Sequence, residues 1–485
     1  MKKIILIAFL IISAVSCETD FSDWNKDEKN ASKVPASTLF SNAERNLVRT
    51  MKMQNVNINI FNYFAQYWTA TTYPDEANYD IGTRDVPGGF WDRLYRDVLL
   101  DLQETKLLLA AEKKLLTQDA DITINTNKMA ITTILEVYTF HVLVDVFGDV
   151  PYSEALDITN PSPKYDDASA IYTDIFTKLD LALSQLNTEE ESFGGADFIY
   201  EGKVSAWKKF GNSLKLRMAL RVKDGDKISE AIAGGVFTSN ADNASFEFTK
   251  SDPYSNPLWE NLVQSNRNDI LIANSFVDLM TPLNDPRTEI YMANNITPYK
   301  GGPYGANNSY AKYTHLGPVF HKPDYEGIIL DYSEVEFLLA EAAARILGGA
   351  SDAEGHYNKG IKASIQYWTN LQESYDDDST FDYKPADTDT YITNTPYDAV
   401  NWKKSIGTQK YIAMYSRGFE GWTTWRIFGV PTLLAPEDAA KGADGKVPVR
   451  YVYPADESQR NGTNYKAASA AIGGDKLTTL IFWNN

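Results

Sequence analysis

The 485 residues contain a single cysteine, Cys17, so no disulfide can form within the chain. Stability must come from a packed core, and a chain of this length can bury one. Histidine is scarce as well: His141, His315, His321 and His356 are the full set. None falls in an H-E-x-x-H arrangement. His315 and His321, six apart in a Pro/Gly-rich stretch, have no carboxylate spaced to complete a metal triad. There is no G-x-S-x-G elbow, and "GGPYG" (301–305) lacks the strand, helix and lysine of a phosphate-binding loop. Positive charge is short, with 46 Lys and Arg against 65 Asp and Glu and a net charge of −19. That balance argues against a nucleic-acid surface and against docking on anionic lipid headgroups. Beyond the N-terminus no apolar run is long enough to span a bilayer. The nearest, 129–147, is interrupted by Glu136, His141 and Asp145 and is expected to be a core helix. The many carboxylates leave open a pair meeting in a cleft, the arrangement a glycoside hydrolase uses.

What the N-terminus does contain is a secretory pattern. Lys2 and Lys3 precede the apolar run Ile4–Ile12, followed by the small-residue stretch Ser13-Ala14-Val15-Ser16 and then Cys17. The arrangement resembles a bacterial lipobox. It implies a signal peptide over 1–16, cleavage before Cys17, and lipidation of Cys17, with palmitate among the expected acyl groups. Several acyl chains hold a protein on a membrane where one does not. Residues 17–34 are polar and aperiodic, as expected of a flexible tether.

Downstream the pattern is helical. Trp91, Leu94, Tyr95, Val98, Leu102 and Leu109 share one helical face, and Ile171, Ile175, Leu179, Ala182 and Leu186 share another. Asp166 or Asp167 can cap the second helix. The predicted helices fall into four pairs: 37–55 with 89–116, 127–147 with 167–187, 204–222 with 226–233, and 331–347 with 352–370. Stacked pairs are the logic of a tetratricopeptide-like repeat. The expected fold is therefore mostly α: a helical-repeat scaffold over 37–235 and 330–370. Residues 236–329 and 371–485, rich in Asn, Pro, Gly and Tyr, are expected to form an irregular, loop-rich capping layer carrying the ligand. Residues 35–485 are treated as one domain.

Six phrases occur in order: "VDVFGDVPYSEAL" (144–156), "AWKKFGNSLKLRMALR" (206–221), "LNDPR" (283–287), "EVEFLLAEAAAR" (334–345), "RGFEGWTTWRIFGVP" (417–431) and "VRYVYPADESQRNGTNY" (449–465). Together they resemble the SusD/RagB family of outer-membrane lipoproteins of Bacteroidetes-type bacteria. The phrases also make sense as scaffold: Gly148 permits a sharp helix end, Asp149 can accept backbone N–H groups, and Arg287 can pair with a buried carboxylate. The resemblance implies a binding protein without catalytic activity. It would sit outside the cell over a TonB-dependent outer-membrane barrel, capture a nutrient and help deliver it. The nutrient would commonly be a glycan and sometimes a peptide. A surface glycoside hydrolase and an adhesive surface protein are the alternatives.

A sugar ring offers an apolar face and a rim of hydroxyls, so its site should mix exposed rings with amides, carboxylates or guanidinium groups. Two stretches do so. "NYFAQYWTATTYPDEANYDIGTR" (62–84) supplies Tyr67, Trp68, Tyr73, Asn78 and Tyr79, and the family resemblance points there too. Residues 252–269 and 297–313 supply Trp259, Asn266, Arg267, Tyr299, Tyr304 and Tyr310. Trp422 and Trp425 read as scaffold. "DDDSTFD" (376–382) has the alternating oxygens of half a calcium loop, but Phe381 stands where glycine is needed and Asp387 replaces the closing glutamate. A solvated acidic loop is the expectation, with calcium as the weaker alternative and no other cofactor.

Overall fold

The computed structural model describes residues 34–376, 381 and 383–484. The expected signal peptide, Cys17 and nearly all of the expected tether lie outside the described residues, as does most of the acidic stretch at 376–382.

The four helix pairs are present. Helix α1 (Ala36–Lys52) packs on a long rod made of α2 (Val86–Leu94), one π turn at Tyr95–Leu99, and α3 (Leu100–Lys113). Helix α4 (Asp119–Phe147) packs on α5 (Ala168–Gln185), α6 (Val204–Val222) on α7 (Gly225–Gly234), and α8 (Tyr332–Ala344) on α9 (Ala353–Tyr375). The apolar stripes legible in the sequence are the faces that pack: of the eleven positions named above, all but the half-buried Tyr95 lie in the core. Local stops hold as well. Asp167 Oδ1 accepts from the Ala170 N–H at 2.9 Å, and Gly148, with φ +85°, ends α4. Asp149 Oδ1 accepts from the Ala168 N–H at 2.9 Å. Among the described residues α4 is the one helix long and apolar enough to cross a bilayer, yet 89% of its apolar window is buried against protein. It is a core helix.

The capping layer is less irregular than expected. Residues 371–409 contain α10 (Pro385–Asn394) and most of α11 (Trp402–Ala413), and α11 forms a further hairpin with α12 (Gly418–Phe428) against α8. The apolar period of α11 is hidden because its buried side includes Gly407, Gln409 and Lys410. Among the described residues six short strands form three antiparallel ladders. Strand β1 (Trp68–Ala70) pairs with β5 (Ile270–Ile272), β2 (Val150–Pro151) with β3 (Tyr165–Asp166), and β4 (Ala244–Phe246) with β6 (Gly327–Leu330).

A buried ionic cluster joins the helix pairs, and the sequence phrases supply all of it but Asp331. Arg217 on α6 pairs with Glu334 on α8 at 2.7 Å. Arg221 pairs with Asp145 on α4 at 3.2 Å and with Glu420 on α12 at 2.9 Å. Arg417 pairs with Asp331 at 3.0 Å and also with Glu334. Removing one partner of such a cluster leaves a desolvated charge, which is why breaking a buried pair costs ~3–5 kcal/mol. Although burial opposes it, Arg217 and Arg221 hold the Glu420 carboxyl down at about 2. "LNDPR" behaves alike: Arg287 is fully buried and pairs with Asp285 of the same phrase at 2.6 Å.

Candidate functional site

Strand β1 runs out of the core alongside β5, with Trp68 opposite Ile272 and Ala70 opposite Ile270. The ladder continues one step past the strands: the Thr71 N–H donates to the Asp269 carbonyl at 2.9 Å, and the Thr71 hydroxyl donates to the Asn268 carbonyl. This pins two exposed loops side by side. Tyr73 tops the first, 39% exposed, and Asn266 and Arg267 top the second. Tyr73 (φ +58°) and Asn266 (φ +47°) both hold left-handed backbone conformations, costly for residues with a Cβ and found where a loop shape is imposed by its surroundings.

The Tyr73 ring has two guanidinium groups beside it. Arg84 lies 5.1 Å and Arg267 5.6 Å from its centroid. Each cation has a carboxylate partner: Arg84 binds Asp75 at 3.1 Å and also Glu76, and Arg267 binds Asp269 at 2.5 Å. Burial pushes the Glu76 carboxyl up, and Arg84 counters it. Tyr73 and Arg267 also line a small pocket with Tyr63, Asn57, Asn261 and Asp269. The result is a flat ring, spare N–H donors and amides on one open shelf, the mixture that holds a sugar face and its hydroxyls.

Other expected ligand residues sit elsewhere. Tyr67, Trp68 and Tyr79 are fully buried. The Tyr67 hydroxyl donates to the Tyr411 carbonyl, Trp68 Nε1 donates to the Tyr415 hydroxyl at 2.9 Å, and Gln66 Nε2 donates to the Tyr79 hydroxyl at 3.1 Å. Their rings are core, and a sugar cannot reach them; the expectation that they face ligand is corrected. Asn78 and Tyr304 tie loops together: Asn78 Nδ2 donates to the Gly305 carbonyl at 2.7 Å, and the Tyr304 hydroxyl to the Tyr63 carbonyl at 2.7 Å. Tyr310 is covered on one face by His315, stacked at 3.7 Å. Trp259 is half-buried and lines neither the shelf pocket nor the larger cleft that Tyr299 lines. Arg84, which sequence reasoning passed over, belongs with Tyr73; its place in the quoted loop was the available signal. Among the described residues no group of three His, Cys, Asp or Glu side chains could hold a metal ion.

A family model described as "Starch-binding associating with outer membrane", SusD-like, matches residues 28–454. The chain belongs to the SusD-like family. Members of this family bind carbohydrate and are not enzymes, which removes the hydrolase alternative. A chitin-binding protein of known structure is 25% identical, with a TM-score of 0.76 over 93% of this chain and 99% of its own. A chitin-binding SusD homologue from Flavobacterium johnsoniae is 23% identical, with a TM-score of 0.75 over 93% of this chain and 98% of its own. One from Bacteroides fragilis is 19% identical, with a TM-score of 0.76 over 93% and 100%. These last two likenesses speak to the fold alone. No curated protein matches the sequence.

Proposed function

We propose that this SusD-like protein captures an oligosaccharide at the cell surface and passes it to a TonB-dependent outer-membrane barrel, held there by lipid on Cys17. The observation carrying the reading is the open Tyr73 shelf with Arg84 and Arg267 beside the ring, displayed on a SusD-like frame. The two guanidinium groups orient the ring and keep N–H donors for the hydroxyls of a glycan. Because the structural relative at 25% identity is a chitin-binding protein, chitin oligosaccharides are the first probes, with starch oligosaccharides beside them.

Calorimetry with both series on wild type and Tyr73→Ala tests it. Tyr73→Ala should weaken binding about tenfold, ~1.4 kcal/mol, with folding intact. Unchanged affinity would remove the shelf as the site. Cys17→Ala should abolish membrane retention; retention of that variant would refute the anchor.

A further inference from the structure

A second cleft lies where residues 281–289 face α10, and it shares no lining residue with the shelf pocket. Its volume is about 490 Å³, within the ~300–1,000 Å³ of small-molecule sites. Tyr299, Phe381 and Tyr383 line it half-exposed, and Tyr391 closes the floor. The Phe381 and Tyr383 rings are close to parallel, at 12°, with centroids 6.4 Å apart. Exposed Asn284 and Asn394 stand at the rim.

The floor is built rigidly. Arg287, paired with Asp285, also donates to Ser364 Oγ at 2.9 Å and to Gln409 Oε1 at 3.3 Å. Gln409 Nε2 donates to the Tyr391 hydroxyl at 2.8 Å, and Arg287 lies 5.8 Å from the Tyr391 ring centroid. A ring bound here meets surfaces already in place, so little ordering entropy is lost.

Charge separates this cleft from the shelf. Three carboxylates line it, Asp285, Glu289 and Asp387, and no Lys or Arg is among its described lining residues. Arg287 neutralises Asp285 from beneath. Asp387 accepts from the Lys384 backbone N–H at 3.1 Å, and exposed Glu289 has no ion-pair partner among the described residues. Burial and the Glu289 charge push the Tyr299 phenol up, so it remains a hydrogen-bond donor at neutral pH.

On the glycan-binding reading above, we infer that this cleft is a second carbohydrate site, selective for sugar rings that are neutral or carry a free amino group. Aromatic faces supply the platform, the amides bind hydroxyls, and an ammonium group gains a charge-assisted bond to Glu289 or Asp387. A carboxylated or sulfated ring meets like charge, with no Lys or Arg among the described lining residues to offset it, and is rejected.

The test is calorimetry with tetramers of glucosamine, N-acetylglucosamine and galacturonate on wild type, Tyr73→Ala, Tyr299→Ala, Glu289→Gln and the Tyr73→Ala/Tyr299→Ala double variant. In the Tyr73→Ala background the glucosamine tetramer should still bind, more tightly than the N-acetyl form, and galacturonate should not. Adding Tyr299→Ala should weaken that residual binding about tenfold or more. Glu289→Gln, near-isosteric and on an exposed side chain, should weaken glucosamine binding about two- to fivefold and spare the N-acetyl tetramer. It keeps the test valid if Tyr299→Ala does not fold. Binding that vanishes entirely with Tyr73→Ala sinks the cleft and leaves the shelf. Binding lost only with Tyr299→Ala sinks the shelf and leaves the cleft. Residual binding untouched in the double variant, or no glucosamine binding by wild type, overturns the inference.

Discussion

At the shelf, Tyr73 stands beside Arg84 and Arg267, each already paired with carboxylates. In the cleft, Tyr299, Phe381 and Tyr383 share their walls with Glu289 and Asp387, and no cation lines them among the described residues. The rings are of one chemical kind in both places. What differs is whether the groups around them chiefly donate or accept hydrogen bonds. Ring content therefore reports affinity for flat apolar faces, and the polar neighbours decide which substituents are tolerated. The second difference is depth. The shelf is two loops clipped by an extension of the β1–β5 ladder, whereas the cleft stands on a buried ion pair.

That second difference gives the largest expected effect. Arg287→Leu leaves Asp285 buried without its cation and should destabilise the protein by about 3–5 kcal/mol in urea denaturation. Asp285→Asn added to it should recover part of the loss. Cleft binding should be damaged and shelf binding spared in whatever fraction folds. Equal damage to both would mean the two sites are not separable.

Next comes a pH effect that should strike both sites alike, because it acts on the folding equilibrium on which both depend. His141 is fully buried, its Nδ1 2.8 Å from the Tyr172 hydroxyl, and burial pushes its pKa down to about 4. The folded state therefore binds fewer protons than the unfolded state between about pH 4 and 6.5. Stability from this group is complete above 6.5 and is lost as pH falls toward 4. Denaturation midpoints should drop across that window by an amount worth up to a few kcal/mol, and His141→Gln should flatten the slope. A wild-type profile that is flat there would contradict the burial argument.

The smallest effects sharpen the contrast of charge. Arg267→Met removes one guanidinium from an exposed ring and should cost the shelf no more than about 1 kcal/mol of affinity. Raising salt from low to about 0.5 M should weaken glucosamine binding in the cleft, through screening of Glu289 and Asp387, and scarcely change N-acetylglucosamine binding at the shelf. The reverse pattern would mean the donor and acceptor assignments are exchanged.

The helical scaffold was legible because its stripes repeat at 3.6 residues and are apolar, as at Ile171, Ile175 and Leu179. Helix α11 escaped because Gln409 and Lys410 are buried, so polarity there does not mean exposure. The shelf was half legible. Tyr67, Trp68 and Tyr73 stand within seven residues and look alike in composition, but β1 is buried along its whole length and offers no alternation to tell inward rings from outward ones. Of the cleft only Tyr299 was legible as a ligand candidate: its partners in the lining, such as Asn394, lie nearly a hundred residues away along the chain.

Sequence alone determined the helix pairs, the family and the kinds of side chain available to a sugar, because periodicity, caps and ordered phrases are written locally along the chain. Which of those rings face solvent, and whether cations or carboxylates stand next to them, was decided only in three dimensions. Burial and the charge of a site are properties of neighbours distant in sequence, as Arg267 beside Tyr73 and Glu289 in one cleft with Asp387 make plain.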